Sequence, residues 1–345
     1  MILILLYHKV VKYPTFDLWW KTFDIQLYIL KRFFRLITLD DVIEYFRIGK
    51  FPKSPSVAIT FDDGYADNYI YAYPILKKHK LKATLFIASS RILRIERKRK
   101  NLEDYWKGEV SLRELYDPKN MWEANYEFLK YGKSDDFLTQ EELLSMKDVF
   151  DIGWHSKYHT KDFYEEKLLD LCDGKNFHWS LYHAYAEEPK MGFPIFPMRG
   201  SLSVRKGKLK EEVKAFLKSL NKDFFKMSGW KRELKNDLLS RFDKLLEFEK
   251  EEERMARTIR EVEESLSELE AITGEKILHS AYPFGDYDIF LRKELSKRFI
   301  SAFTTEKRLV KPQDDTYLLP RVTVPKDMWS FLAILGKFLK SFRNL

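Results

Sequence analysis

Ser56–Gly64 reads SVAITFDDG: a run of mostly apolar, β-favouring residues, then two carboxylates, then a glycine. Continuous rather than alternating apolarity marks a strand covered on both faces, as in a parallel sheet flanked by helices. Gly64 permits the tight turn by which such a strand passes into a helix. Asp62 and Asp63 therefore stand at the carboxyl end of that strand.

The same pattern recurs along the chain. Further short apolar runs cover Ile2–Leu6, Ala83–Ala88, Phe150–Trp154 and Ile277–Tyr282, with weaker ones at Phe299–Thr304 and Tyr317–Leu319. Between them lie amphipathic stretches at Leu18–Phe34, Asp67–Lys78, Thr139–Lys147 and Glu251–Ile272. Thr139 with Glu142 makes a capping box, and Gly274 follows the last turn of the fourth stretch. Strand, helix, strand is the dominant order, which predicts an α/β fold with a mostly parallel sheet. Two regions break the rhythm and read as insertions, about 91–137 and about 163–246. The first opens with RKRK, Arg97–Lys100. The second carries HWSLYHAYAEEPKMGFPIFPMRG and then a charged helical stretch from near Lys206.

Composition narrows the function classes. With 345 residues and 45% hydrophobic content, disorder and small disulfide scaffolds are excluded. The single cysteine, Cys172, rules out an intramolecular bridge and reads as a packing residue. A net charge of +8 is mild at this length, and the rings do not alternate with Lys/Arg in a nucleic-acid-binding motif, so no nucleic-acid partner is expected. The first residues, MILILLYHKV, hold an apolar run too short for an export signal or a spanning helix and read as a first buried strand.

Polar residues gather where these strands end. His8 follows the first strand, Asp62 and Asp63 the second, His155 and His159 the strand ending at Trp154, Pro283 and Phe284 the strand ending at Tyr282, and Arg321 the one ending near Leu319. In a parallel α/β sheet or barrel all emerge at one end, where ligands bind. Two histidines four apart plus a carboxylate from another strand form an open three-ligand set of the kind catalytic zinc uses, with a position left for water. The second carboxylate is then free to deprotonate that water. Taken singly, a His-x-x-x-His is a common surface feature and an Asp-Asp-Gly a common turn. Their joint occurrence at matching strand ends favours a site. His79, His178, His183 and His279 lack such company and read as structural.

TFDDG (Thr60–Gly64), HSKYHT (His155–Thr160) and AYPFGDYD (Ala281–Asp288) together resemble the first three motifs of the polysaccharide deacetylases, the NodB-homology carbohydrate esterases, over roughly residues 1–90, 138–162 and 252–325. The resemblance implies a distorted (β/α) barrel, with one divalent metal, typically zinc, that removes N-acetyl groups from N-acetylhexosamine-containing glycans or glycoconjugates. It implies Asp63, His155 and His159 as metal ligands and Asp62 as the base. It implies the backbone N–H of Phe284 as oxyanion donor, with Tyr282 and Pro283 beside the substrate. The early YHxV-type segment implies His8 as general acid, and no Leu-x-His motif stands near the carboxyl end to supply another. The third-motif arginine of many members is replaced by Ala281, and Arg321 is the candidate to orient the catalytic carboxylate instead. A non-catalytic sugar-binding or docking module on the same fold, or a deacylase acting on a formyl or cyclic amide, are the alternatives.

The absence of an export signal in the sequence read makes a cytoplasmic location and a lipid- or nucleotide-linked aminosugar substrate the expectation. In 326–345, Met328, Phe331, Leu332, Leu335, Phe338, Leu339 and Phe342 form one stripe with Lys337, Lys340 and Arg343 beside it. Such a stripe is what a last barrel helix packs on its sheet, and it also fits a peripheral contact with the inner membrane surface. Trp179, Tyr182, Tyr185, Phe193 and Phe196 offer flat faces for a sugar or rings for the insertion's own core. Oligomeric state is left open.

Overall fold

The computed structural model describes residues 1–343, and the side chain of Arg343, with Asn344 and Leu345, lies outside the description. Seven parallel strands form the main sheet: β1 (Ile2–Tyr7), β2 (Ser56–Asp63), β3 (Ala83–Ile87), β4 (Phe150–Trp154), β5 (His279–Ala281), β6 (Ser301–Phe303) and β7 (Val322–Thr323). They lie in the order β6-β5-β4-β3-β2-β1-β7, and Arg35–Leu36 adds a further short strand beside β2. Every residue of β1 and β2 is buried, as continuous apolarity requires. The sheet curls through 241° into a distorted (β/α) barrel that does not close. The segment between β6 and β7 fills the gap: Val310 bridges Ile2 and Leu319 bridges Phe303.

Local signals explain most element ends. Thr139 caps Gln140–Ser145 through a reciprocal bond with Glu142, and Gly274 ends Glu251–Thr273 in the left-handed conformation. Three expectations are corrected. Tyr317–Leu319 forms a single bridge rather than a strand, and the last strand is Val322–Thr323, because the chain there crosses the open side of the sheet before pairing with β1. Asp67–Lys78 is not one α-helix: a wide turn over Asn68–Ala72 precedes Tyr73–His79, with Pro74 in its first turn. The charged helical stretch begins at Glu211, since Gly207–Leu209 pairs as a strand with Leu246–Phe248.

The main core runs under the sheet and its helices. In the C-terminal helix Met328–Arg343, Phe331, Leu335 and Phe338 are buried in that core, and Phe338 stacks on Phe34 at 5.7 Å. Of the two uses the stripe allowed, it is packing on the barrel that most of it serves, although Leu332 stays exposed. No helix among the described residues is long and apolar enough to cross a membrane.

The 163–246 region builds its own core from Phe163, Leu171, Cys172, Tyr185, Phe193, Phe196 and others. Tyr185, Phe193 and Phe196 are therefore buried packing residues, and Cys172 is buried with them. At the base of this region buried Asp162 meets Lys206 at 3.2 Å and His183 at 3.6 Å. Burial alone would raise the Asp162 pKa, but His183 and Lys206 outweigh it and hold the carboxyl well below the usual range. Asp162→Asn should destabilise the protein by about 2 kcal/mol near neutrality. Because the folded pKa is depressed, that contribution is full above about pH 5 and fades as pH falls below the ordinary carboxylate value. Denaturant melts at about pH 7 and about pH 3 check this: a difference between wild type and variant that grows on acidification contradicts it.

Candidate active site

Strand ends supply the site. The register pairs Asp62 with Phe86 and Asp63 with Ile87, which in turn pairs with Trp154, so β2, β3 and β4 end side by side. Just past β4 lie His155 and His159, and just past β1 lies His8. His8 is anchored through its backbone: Asn68 Nδ2 donates to its carbonyl at 2.8 Å, and the next residue, Lys9, pairs with Asp67 at 2.7 Å, both side chains fully buried. Burial pushes the Asp67 pKa up to about 6 against the opposing pull of Lys9.

Asp63, His155 and His159 each offer a ligand atom, all within 4.8 Å of one another. Asp63 Oδ1 lies 3.2 Å from His159 Nε2 and 3.6 Å from His155 Nε2. Donors arranged tetrahedrally around one zinc ion stand about 3.4 Å apart, so the set fits such an ion. Two further observations agree. Asp63 Oδ1 is buried and has no hydrogen-bond partner within the chain. His155 Nδ1 bonds to Ala281 O at 2.8 Å, and because a carbonyl can only accept, Nδ1 carries the proton and Nε2 keeps its lone pair toward the two aspartates. Burial is the main force holding both histidines below the ordinary imidazole pKa, so both rings are neutral as metal binding requires.

Asp62 is bound differently. The Arg321 fork donates from Nη1 to Oδ1 at 2.7 Å and from Nη2 to Oδ2 at 2.8 Å, with Nε on Thr304 O at 3.1 Å. Both side chains are almost wholly buried. Burial would raise the Asp62 pKa, but Arg321, His155 and His8 outweigh it and keep the carboxylate ionised below its usual range. Arg321 reaches Asp62 from the start of β7, beside the middle of β1, rather than from a strand's carboxyl end. The position vacated at Ala281 is buried and apolar.

These groups line a cavity of about 200 Å³ with His8, Tyr65, Met121, Asn125, His178, Trp179, Phe284 and Thr305. The Phe284 ring lies 4.2 Å from His159, and Lys161 sits over that ring at 4.4 Å. Gly285, at φ +75°, admits no Cβ, which would fall 2.1 Å from Thr305 Oγ1. Tyr282 and Pro283 are not in the lining. Tyr282 is buried with its hydroxyl donating to Tyr317 O at 2.9 Å, and Pro283 is buried beside it. Backbone strain marks the same place: of six non-glycine residues with positive φ among the described residues, four are Asp63, Ser156, His159 and Phe284. Each costs about 1–3 kcal/mol, and such strain clusters at functional sites.

Sequence reasoning missed several residues. Arg91, fully buried, lies with Nη1 3.9 Å from Asp63 Oδ1 while Nη2 donates to His159 O at 3.2 Å. It stands four residues beyond β3, so the strand-end rule that picked out the others would have found it. His178, read as structural, lines the cavity, with its pKa pushed down to about 4 by burial and by Lys161. His79, by contrast, pairs with Asp24 at 2.6 Å, and His279 with Asp40 at 3.0 Å, both away from the cavity. Asn125 and Met121 come from the first insertion, where no local signal points at a site.

The profile of the family described as "Polysaccharide deacetylase" matches residues 49–165. A poly-beta-1,6-N-acetyl-D-glucosamine N-deacetylase of Staphylococcus aureus is 35% identical over 135 residues, 37% of this chain and 43% of the relative. A putative polysaccharide deacetylase, YxkH, of Bacillus subtilis is 56% identical over 43 residues, 12% of this chain and 15% of the relative. The chain thus spans less than half the length of these curated relatives. Among solved structures, IcaB of Ammonifex degensii superposes with a TM-score of 0.54 at 16% identity, covering 96% of this chain and 95% of that one. A de-N-acetylase of Aggregatibacter actinomycetemcomitans gives 0.58 at 13% identity, covering 98% and 99%. These two share the fold. The matched profile contains both the Asp62–Asp63 and His155–His159 segments, so this third of the chain is similar to the polysaccharide deacetylases, and the whole chain shares their fold.

Proposed function

We propose that this protein hydrolyses the N-acetyl amide of an N-acetylglucosamine-containing glycan or glycoconjugate with one divalent metal, zinc being the ion that suits the donor set. The observation that carries the reading is the pairing of an open Asp63, His155, His159 set with a second carboxylate, Asp62, held ionised beside it. The named activity of the Staphylococcus relative supports the choice of bond and sugar.

Asp63, His155 and His159 would hold the ion. When bound, it would act as a Lewis acid toward the amide carbonyl and lower the pKa of a water molecule. Asp62 takes the proton from that water. The Arg321 fork keeps this base in a single orientation and ionised. The N–H of Phe284 is assigned to the developing oxyanion, and the left-handed backbone there fixes its direction. His8, in the cavity lining, would give a proton to the departing amine.

His155→Ala should lose bound metal and with it acetate release. Zinc content of the purified variant, read by atomic emission, contradicts the ligand assignment if it equals that of wild type. His8→Phe should keep metal while slowing turnover about 10²-fold or more. Acetate release at an unchanged rate would return the acid role to another group. Wild type that binds metal yet frees acetate from no N-acetylated sugar would favour the docking module instead.

A further inference from the structure

The cavity is walled on one side by both insertions. Met121 and Asn125 come from the helix Met121–Tyr131, and His178 and Trp179 from the second insertion. Trp122, next to Met121, donates Nε1 to the carbonyl of Phe177, next to His178, at 2.7 Å. Its ring packs on Tyr126 at 4.8 Å and on Phe177 at 5.6 Å. Further along, Glu188 accepts from the Tyr126 hydroxyl at 2.5 Å and from Lys130 at 3.2 Å. The insertions therefore meet beside the catalytic carboxylates rather than standing as two separate banks. A polymer threaded through a site needs an exit at each end, and a wall running through these contacts would remove one.

Within that wall stands an unused acceptor. Asn125 is 2% exposed, and its Nδ2 spends both protons, one on Met121 O at 2.7 Å and one on the Tyr65 hydroxyl at 2.8 Å. A carbonyl cannot donate, so the amide cannot be reversed, and Oδ1 is left with no partner. A buried acceptor without a donor is costly unless a ligand brings one. Asp63 Oδ1 shares this condition in the same cavity.

Resting on the deacetylase reading above, we propose that the substrate is a single chain-terminal N-acetylated aminosugar that enters end-on, with one of its hydroxyl or N–H donors met by Asn125 Oδ1. Internal units of a long glycan are excluded by the wall.

The test uses the full zinc-loaded chain on a graded series of N-acetylglucosamine oligomers, from the monosaccharide glycoside upward, with each deacetylated position located by mass spectrometry. Terminal units should react at least about tenfold faster than internal ones. Trp122→Ala, outside the cavity lining, should narrow that ratio while melting as a folded protein. Asn125→Leu should lower kcat/KM on the terminal unit by roughly tenfold with zinc content unchanged. It should also weaken binding of the monosaccharide glycoside to metal-free protein in calorimetry. Internal units cut as fast as terminal ones would overturn the proposal and leave the deacetylase reading standing. Acetate from no position would remove that reading and this one with it.

Discussion

Asp62→Asn should keep its metal and lose turnover by about 10²–10⁴-fold. The asparagine preserves shape and can still accept from Arg321, but it has no charge with which to draw a proton from water. Asp63, His155 and His159 are untouched, so zinc stoichiometry should match wild type. Metal content and acetate release, measured on one preparation, separate the base role proposed for Asp62 from the ligand role proposed for Asp63. Turnover within a few-fold of wild type would remove Asp62 from the base role, and loss of zinc would move it among the ligands.

Arg321→Met is expected to act on stability and on pH dependence together. It strips the partner from a carboxylate that is almost wholly buried, and breaking such a pair costs about 3–5 kcal/mol. With Arg321 present, Asp62 is held below its usual range; without it, burial pushes the pKa upward. Since the ionised form is the active base, the acidic limb of the rate profile should move to higher pH. Arg321→Lys should restore charge without the two-pronged geometry, and so recover part of the stability and less of the rate. A Met variant that melts and titrates like wild type would show that the fork is ornamental to Asp62.

How far the sequence carried is visible in particular residues. SVAITFDDG and the runs at Ile2, Ala83 and Phe150 were legible as buried parallel strands because their apolarity is continuous, and that alone aligned His8, Asp62, Asp63, His155 and His159 at one rim. Arg321 was placed beside Asp62 in outline, yet its route was not readable: the chain before β7 crosses the unclosed side of the barrel, and no periodicity encodes a crossing. Tyr282 and Pro283 share a motif with Phe284 but lie outside the cavity, since the strand ends at Ala281 and the chain turns tightly over Pro283–Gly285 with Phe284 in the left-handed conformation. The walls were the least legible part. Asn125 and Trp122 sit in a region that the sequence marks only as an insertion, and the meetings of Trp122 with Phe177 and of Tyr126 with Glu188 depend on long-range packing. Whether Tyr185, Phe193 and Phe196 served a sugar or a core was undecidable from composition, because both uses ask for the same rings.

The unclosed side of the barrel has one more effect. Arg321, Thr304 and Thr305 all belong to the stretch that crosses the open side between β6 and β7, where backbone bonds join Val310 to Ile2, Thr316 to Ala302, and Leu319 to Ala302 and Thr304. The orientation of the base is thus entrusted to a seam rather than to the continuous sheet.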